Sequence, residues 1–580
     1  MATMFACDPY SARVLNLGPQ NGSKSMNTMD IGFSLDEPAE APAVPDKFLA
    51  SEAQEFTLPQ SHGGGTIKGH LASDPEHASY PSSHYEIRTY MPVDGGQVAA
   101  VDFRELLDKV RIPSTPSQRY VVSGEQIDAI VEKSDAERTA RLSNPTASIN
   151  ATRVVPKDGS LNPTDIDIYV RNSTDVSAKF VTELGSIGEI EGFHMVAGVP
   201  SHGGDELARN LDRAGAKNVS IVEHPNGEAW VEDYGEPVLG GGRLTPAIFD
   251  DKNGAWSREA IREGRAERYK KAGPGGKDIV DNNSYHGAVN YGKFQRAHLA
   301  EGIAEGQTDL RQAVSYIEGG NTMTGSLPNG EGYALVGADS FHVTKRLVEK
   351  QTGKTFSDDD VRKIIAADFG IKAENVHSIE QPGTFHIDMR LTPIGPGEIL
   401  LNDSVAAAKQ QATWRTEDLE NQAVANGWSA SKLADAKKKL KTQTDAIMEQ
   451  AQYMKVLEDL TARDLQAVGF KVDRLGGAFV DPNRPIQDNT NYFNARHGTN
   501  ESGERFTVMM GGTPREEAYV ATHLFNDFHA PISHLHFLDP AQTRRTLDLQ
   551  GGLKCRTKPE GNLVNGELLT HPQRRELVSA

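Results

Sequence analysis

The chain divides by the rhythm of its apolar positions. Residues 1 to about 85 have none: Asp36-Glu37-Pro38-Ala39-Glu40-Ala41-Pro42 and Ser61-His62-Gly63-Gly64-Gly65 show neither helical nor strand period, so a disordered segment is expected. Residues 86–175 are mixed. Tyr120-Val121-Val122 predicts a short strand and Gly124 to Val131 a short helix, and the stretch reads as an accessory subdomain. From 176 onward, strand-length apolar runs alternate with amphipathic helices. Phe193 to Val199 and Val219 to Val222 read as strands, with a helix over Asp205 to Ala214 between them. Tyr333 to Gly337 is another strand. Ser357 is a predicted N-cap with Asp360 in the third helical position; Val361, Ile364, Ile365 and Phe369 share one face, and Gly370 ends the helix. Asn375 to Glu380 and Phe385 to Leu391 are further strand candidates.

Residues 404–466 break the alternation. Ala, Lys, Gln, Glu and Asp dominate, with Met448, Met454, Leu457 and Leu460 at helical intervals, which predicts an insertion of two or three packing helices. The α/β text then resumes: paired strands over Asn491 to Gly512, a helix over Pro514 to Phe528 and a strand over Ile532 to Phe537. The expected main body is therefore 176–403 with 467–580. Its helix-and-strand unit recurs, with lengths too variable for a solenoid.

Composition narrows the classes. The 580 residues suffice for a large core. A formal charge of -19 disfavours a nucleic-acid or anionic-membrane partner and tolerates a cationic substrate. Two cysteines, Cys7 and Cys555, rule out a disulfide framework. No apolar run approaches the roughly 20 residues that span a bilayer. The N-terminus lacks a basic stretch followed by an apolar one, so a cytoplasmic location is expected. Secretion by a route that needs no signal peptide stays open, and the sequence does not address oligomeric state.

Four segments carry candidate chemistry. Cys555 stands in Gly551-Gly552-Leu553-Lys554-Cys555-Arg556-Thr557. His386-Ile387-Asp388, on a predicted strand, would send both polar side chains to one face. Glu318-Gly319-Gly320-Asn321 puts an acid before a turn that lets backbones approach closely. Trp230-Val231-Glu232-Asp233 follows an aromatic with acids. Each alone has an ordinary structural reading: a buried thiol, a chance pair, a plain turn, a solvated acidic loop. A metal is a weaker reading of His386 and Asp388, since no compact second ligand motif accompanies them.

Taken in order (acid, acid, His-x-Asp, Cys) the four segments resemble the guanidine-modifying, or pentein, superfamily, which includes arginine, agmatine and protein-arginine deiminases. The resemblance spans about residues 180 to 560. It implies an α/β fold of five ββαβ-type modules in a pseudo-fivefold propeller, with the site on the central axis. It implies Cys555 as nucleophile, His386 as general acid and base and Glu318 as its partner. Asp233 and Asp388 would fork the guanidinium, with Trp230 and Asn321 also on the substrate side. The first 175 residues, the helical insertion and the long connection over residues 254–315 have no counterpart in the minimal family core. The expected activity is hydrolysis of a guanidino group to a ureido group and ammonia, with arginine in a protein preferred over a small guanidino compound. Amidino transfer, or an inactive effector on the same fold, are the alternatives. No cofactor is expected; calcium dependence, seen in some relatives, does not follow from the sequence.

Overall fold

The computed structural model describes residues 55–59, 66–72, 87–93, 95–110, 118–148, 153–163, 165–170, 178–225, 230–247, 255–269, 292–304, 306–307, 309–316, 318–383, 386–548, 551–560, 563–564 and 567–568. The expected disorder of residues 1–54 and 73–86, and Gly273 to Gly276 of the long connection, lie outside these.

One motif organises the described chain: an antiparallel hairpin, a helical crossover, and a third strand parallel to the second. It occurs with Glu236–Val238, Gly242–Thr245 and Asp309–Gln312. It recurs with Thr322–Ser326, Gly332–Gly337 and Val376–Ile379. The third copy uses Leu391–Gly395, Glu398–Asn402 and Lys471–Leu475. The fourth uses Arg496–Thr499, Arg505–Met509 and His534–Phe537. In the fifth, the late strand Thr557–Glu560 pairs antiparallel with the early strand Asp165–Tyr169, and His194–Pro200 completes the set. Parallel strands need a crossover, usually a helix. Each unit has one.

The second unit shows why these residues fold so. Ser357 accepts from the Asp360 backbone N–H, the Asp360 carboxylate accepts from Ser357 N–H in return, and Gly370 ends helix Asp358–Phe369 at φ 65°. Val361, Ile364, Ile365 and Phe369 then bury against Ala334, Val336 and Val376. The expected insertion after residue 403 is two antiparallel helices, Ser404–Ala425 and Ala430–Ala467, which form the crossover of the third unit. Glu458 holds its base: the carboxylate accepts from Asn402 Nδ2 at 2.8 Å and Ser404 N at 3.0 Å.

The N-terminal expectations need correction. Within the segment expected to be disordered, Glu55–Pro59 and Thr66–Leu71 pair as strands. With Arg88–Val93 and Gln97–Val101 they extend the fourth unit to a seven-stranded sheet. Residues 86–175 do not stand apart as a subdomain. Arg88–Val93 pairs with His534–Phe537, Arg119–Val121 pairs with Val219–His224, and Asp165–Tyr169 lies inside the fifth sheet. These edges need partners for their backbone groups, and the chain's early strands supply them. Helix Gly124–Arg141 also runs a full 18 residues, launched by a Ser123–Gln126 capping box.

Candidate active site

A tight turn precedes the first strand of every unit. The turns are Val231–Tyr234, Gly319–Asn321, Ile387–Met389, the Asn491 to Ala495 segment and Leu553–Arg556. Four of them are the four segments singled out from sequence. Contacts between the turns bring them together at one buried place.

His386 was expected on a strand; instead it is the extended N-cap of a 3-10 turn over Ile387–Met389. The apolar Ile387 goes into the core beside Leu391 and Ile399, and His386 and Asp388 go to the site. His386 Nε2 lies 3.1 Å from Glu318 Oε1, and its Nδ1 lies 3.8 Å from Asp233 Oδ1. The Tyr316 hydroxyl donates to the second Glu318 oxygen at 3.1 Å. Burial alone would push the imidazole towards neutrality. The Glu318 and Asp233 carboxylates more than offset it and raise its pKa to about 9.

The glycines of the second turn are required by close approach. A Cβ on Gly319 would overlap the Glu232 carbonyl, and one on Gly320 would overlap the His386 ring. Cys555 sits on the short helix Leu553–Arg556, 3% exposed. Its Sγ lies 3.7 Å from Asp388 Oδ2 and receives the Asn494 amide at 3.2 Å; its own N–H donates to Asn494 Oδ1 at 3.1 Å. Burial first, then the Asp388 and Asp233 carboxylates, push the thiol pKa well above its ordinary value. A backbone hydrogen bond at Gly552 and the Lys554 ammonium pull it the other way.

Asp388 is fully buried. Its Oδ2 accepts from Lys554 Nζ at 3.2 Å, while its Oδ1 has no hydrogen-bond partner among the described residues. Asp233 is the more accessible acid, its side chain 14% exposed. Trp230 caps the first turn, packs against Gly551 and carries the Arg556 guanidinium 4.1 Å from its ring centroid. Asn321, expected on the substrate side, instead donates its amide to Ser340 Oγ at 2.7 Å and packs on Gly337. It anchors its turn to helix Ala338–Thr352.

Sequence reasoning passed over three residues. Asn494 grips both the backbone and the sulfur of Cys555. Lys554 and Glu232 belong to a buried charge network under the site. Glu232 pairs with Lys157, with Arg496 Nη2 at 2.6 Å and with Lys554 Nζ at 3.2 Å. These cations hold its pKa well below the carboxylate range despite complete burial. Only position marked these residues: Lys554 and Glu232 neighbour motif residues, and Asn494 lies in the Asn491 to Ala495 turn.

Among the described residues one group could hold a metal ion: Glu191, His534 and His536, with ligand atoms within 4.8 Å of one another. His534-x-His536 is a compact ligand pair that the sequence reading missed. Here the three are joined by hydrogen bonds. His534 Nδ1 and His536 Nε2 lie 2.6 and 2.9 Å from Glu191 Oε1, closer than the about 3.3 Å that ligands around a tetrahedral zinc keep.

No family model matches the chain, and no curated protein matches it. Solved structures similar to it include a putative agmatine deiminase, with 14% identity over 71% of this chain and 97% of that one, at a TM-score of 0.43. The agmatine deiminase of Enterococcus faecalis gives 14% identity over 71% and 96%, at 0.39. DDAH from Pseudomonas aeruginosa, complexed with citrulline, gives 11% over 68% and 99%, at 0.27. Agmatine deiminase and DDAH are both pentein enzymes. No described helix is long and apolar enough to cross a membrane.

Proposed function

We propose that the chain is a cysteine-dependent guanidino-group hydrolase of the pentein type, its five units arranged as a pseudo-fivefold propeller around the site. The observation that carries this reading is one buried locus that gathers a thiol, an imidazole paired with a carboxylate, and two further carboxylates. Cysteine proteolysis needs donors around a developing oxyanion. A pocket of acids suits a reacting group that is itself a cation.

The guanidinium docks on Asp388 and Asp233 in charge-assisted pairs, which keep it protonated and its carbon electrophilic. Its charge offsets the carboxylates that, together with burial, favour the neutral Cys555 thiol, so the sulfur proton passes to solvent as substrate binds and is balanced there by the ammonia released later. The thiolate adds to the guanidinium carbon. The C–N bond to the departing nitrogen breaks as His386, held protonated by Glu318, gives that nitrogen its proton, and ammonia leaves. The neutral imidazole then takes a proton from water, whose oxygen attacks the amidino-thioether. The C–S bond breaks, and a ureido product and free thiol remain.

Arginine in a protein is the preferred substrate in this reading, on the chain's length and the Leu391 to Gly397 segment that follows the His-x-Asp turn; agmatine or free arginine are the small alternatives. A screen of free arginine, agmatine and an arginine-containing peptide, with no added amine, tests it. Release of ammonia with matching ureido product from one of them is expected. Product only when an amine is supplied would replace hydrolysis by amidino transfer. No covalent adduct on Cys555 with any guanidino compound would end the reading.

A further inference from the structure

Lys554 occupies an unusual place. It is 1% exposed; its ammonium donates to Asp388 Oδ2 at 3.2 Å and to the Gly319 carbonyl at 3.4 Å, and forms an ion pair with Glu232 Oε1 at 3.2 Å. The acceptors come from three different turns, and Lys554 itself from a fourth. Each contact lies on or beside a residue of the proposed chemistry: Glu232 precedes Asp233, Gly319 follows Glu318, Asp388 is itself an arm of the fork, and Lys554 precedes Cys555. The ammonium is thereby held among the turns. By taking Asp388 Oδ2 it leaves Oδ1 as the oxygen without a partner among the described residues.

We infer that Lys554 is a positioning residue that sets the register of the four chemistry-bearing turns and presents Asp388 to the guanidinium through Oδ1. This rests on the guanidine reading above. It also departs from a simple charge role. A lysine acting only as a local positive charge would weaken cation docking, and its removal would tighten it. A lysine that sets register does something else: without it the cation still docks, but the carbon and the sulfur are no longer aligned, and misplacement on the 1 Å scale is enough to cost about 10²-fold. Arginine is no substitute, because its flat fork of five donors does not match three acceptors around one nitrogen.

The test uses the full chain and alkylation of Cys555 by a two-carbon haloamidine, with the neutral haloacetamide as reference, followed by intact mass. Saturation kinetics separate docking from the maximal alkylation rate. In Lys554→Met the maximal rate with the amidine is expected to fall at least tenfold, while half-saturation stays unchanged or improves. In Lys554→Ala, propylammonium should restore at least part of that rate. A maximal rate within twofold of the native chain in Lys554→Met overturns the inference while leaving the guanidine reading intact. Weaker docking with an unchanged maximal rate overturns it as well. No preference for the amidine in the native chain sinks both. Should Lys554→Met fail to fold, Lys554→Ala refolded with propylammonium carries the decision, and no recovery of alkylation overturns the positioning role.

Discussion

Two buried carboxylates, Asp388 and Glu191, are treated in opposite ways. Glu191, at the end of helix Ala178–Glu191, has both oxygens committed. Oε1 receives His534 and His536, and Oε2 receives Asn500 Nδ2 at 3.1 Å. His536 passes the connection on to Thr89 Oγ1 at 2.9 Å, on one of the early strands. Burial would raise the Glu191 pKa, yet the two imidazoles bring it well below the carboxylate range, and Glu191 in turn raises that of His534. Asp388 is equally buried, but one of its oxygens is tied and the other has no hydrogen-bond partner among the described residues. An unpaired buried oxygen is costly to the fold. In the proposed reading the guanidinium supplies the missing donor at Asp388, whereas Glu191 is a joint between structural elements.

The contrast can be broken experimentally. The largest effect is expected at the thiol: Cys555→Ala should lower turnover by on the order of 10³-fold or more with the unfolding transition still cooperative, while Cys7→Ala leaves turnover unchanged. Ammonia release and thermal unfolding decide both. Glu191→Gln should cost about 3–5 kcal/mol of stability, because it strips the counter-charge from the buried His534 imidazole. Urea unfolding reads this, and the rate per folded molecule should hold. Asp388→Asn should instead weaken docking of a guanidinium by about 1.5–3 kcal/mol, with a smaller loss of stability than Glu191→Gln because Lys554 keeps Glu232 as a counter-charge. A variant at Glu191 that lost activity at full stability, or one at Asp388 that lost stability alone, would erase the distinction.

The smallest effects are those of pH. His386 has its pKa raised to about 9, so as the general acid it loses its proton above that, and the rate should fall about tenfold per pH unit there. The ion pair with Glu318 also contributes to stability. The folded value stands above the 6.5 of a free imidazole, so that contribution is complete below pH 6.5 and fades as pH rises through about 9. Glu318→Gln should move the alkaline limb of the rate profile to lower pH. An unmoved limb would detach Glu318 from His386.

Much of the candidate site was legible in the sequence. Cys555, His386, Glu318, Asp233 and Asp388 lie in short segments singled out by their residue types, and the structure gathers all five. Helix Asp358–Phe369 was equally legible, because a capping serine, an apolar face and a terminal glycine are local signals. The misreadings share a cause. The Phe385 to Leu391 run alternates like a strand, yet His386 and Asp388 reach the site from a 3-10 turn, because Ile387 is drawn into the core between them. The amide of Asn321, expected on the substrate side, finds its partner in Ser340, 19 residues on. Lys554 and Asn494 carry no local signal. Their importance lies in partners 166 and 61 residues away.

The sequence by itself determined the short segments that carry the candidate residues and where helices start and stop, because caps, periodicities and reactive groups act over a few residues. The tertiary structure alone decided that the early strands belong to the main sheets, that Thr557–Glu560 pairs with Asp165–Tyr169, and that Lys554 links turns from across the chain. Strand edges and buried charges are satisfied by whatever partner the fold brings within about 3 Å, and that partner's distance along the chain leaves no trace in local pattern.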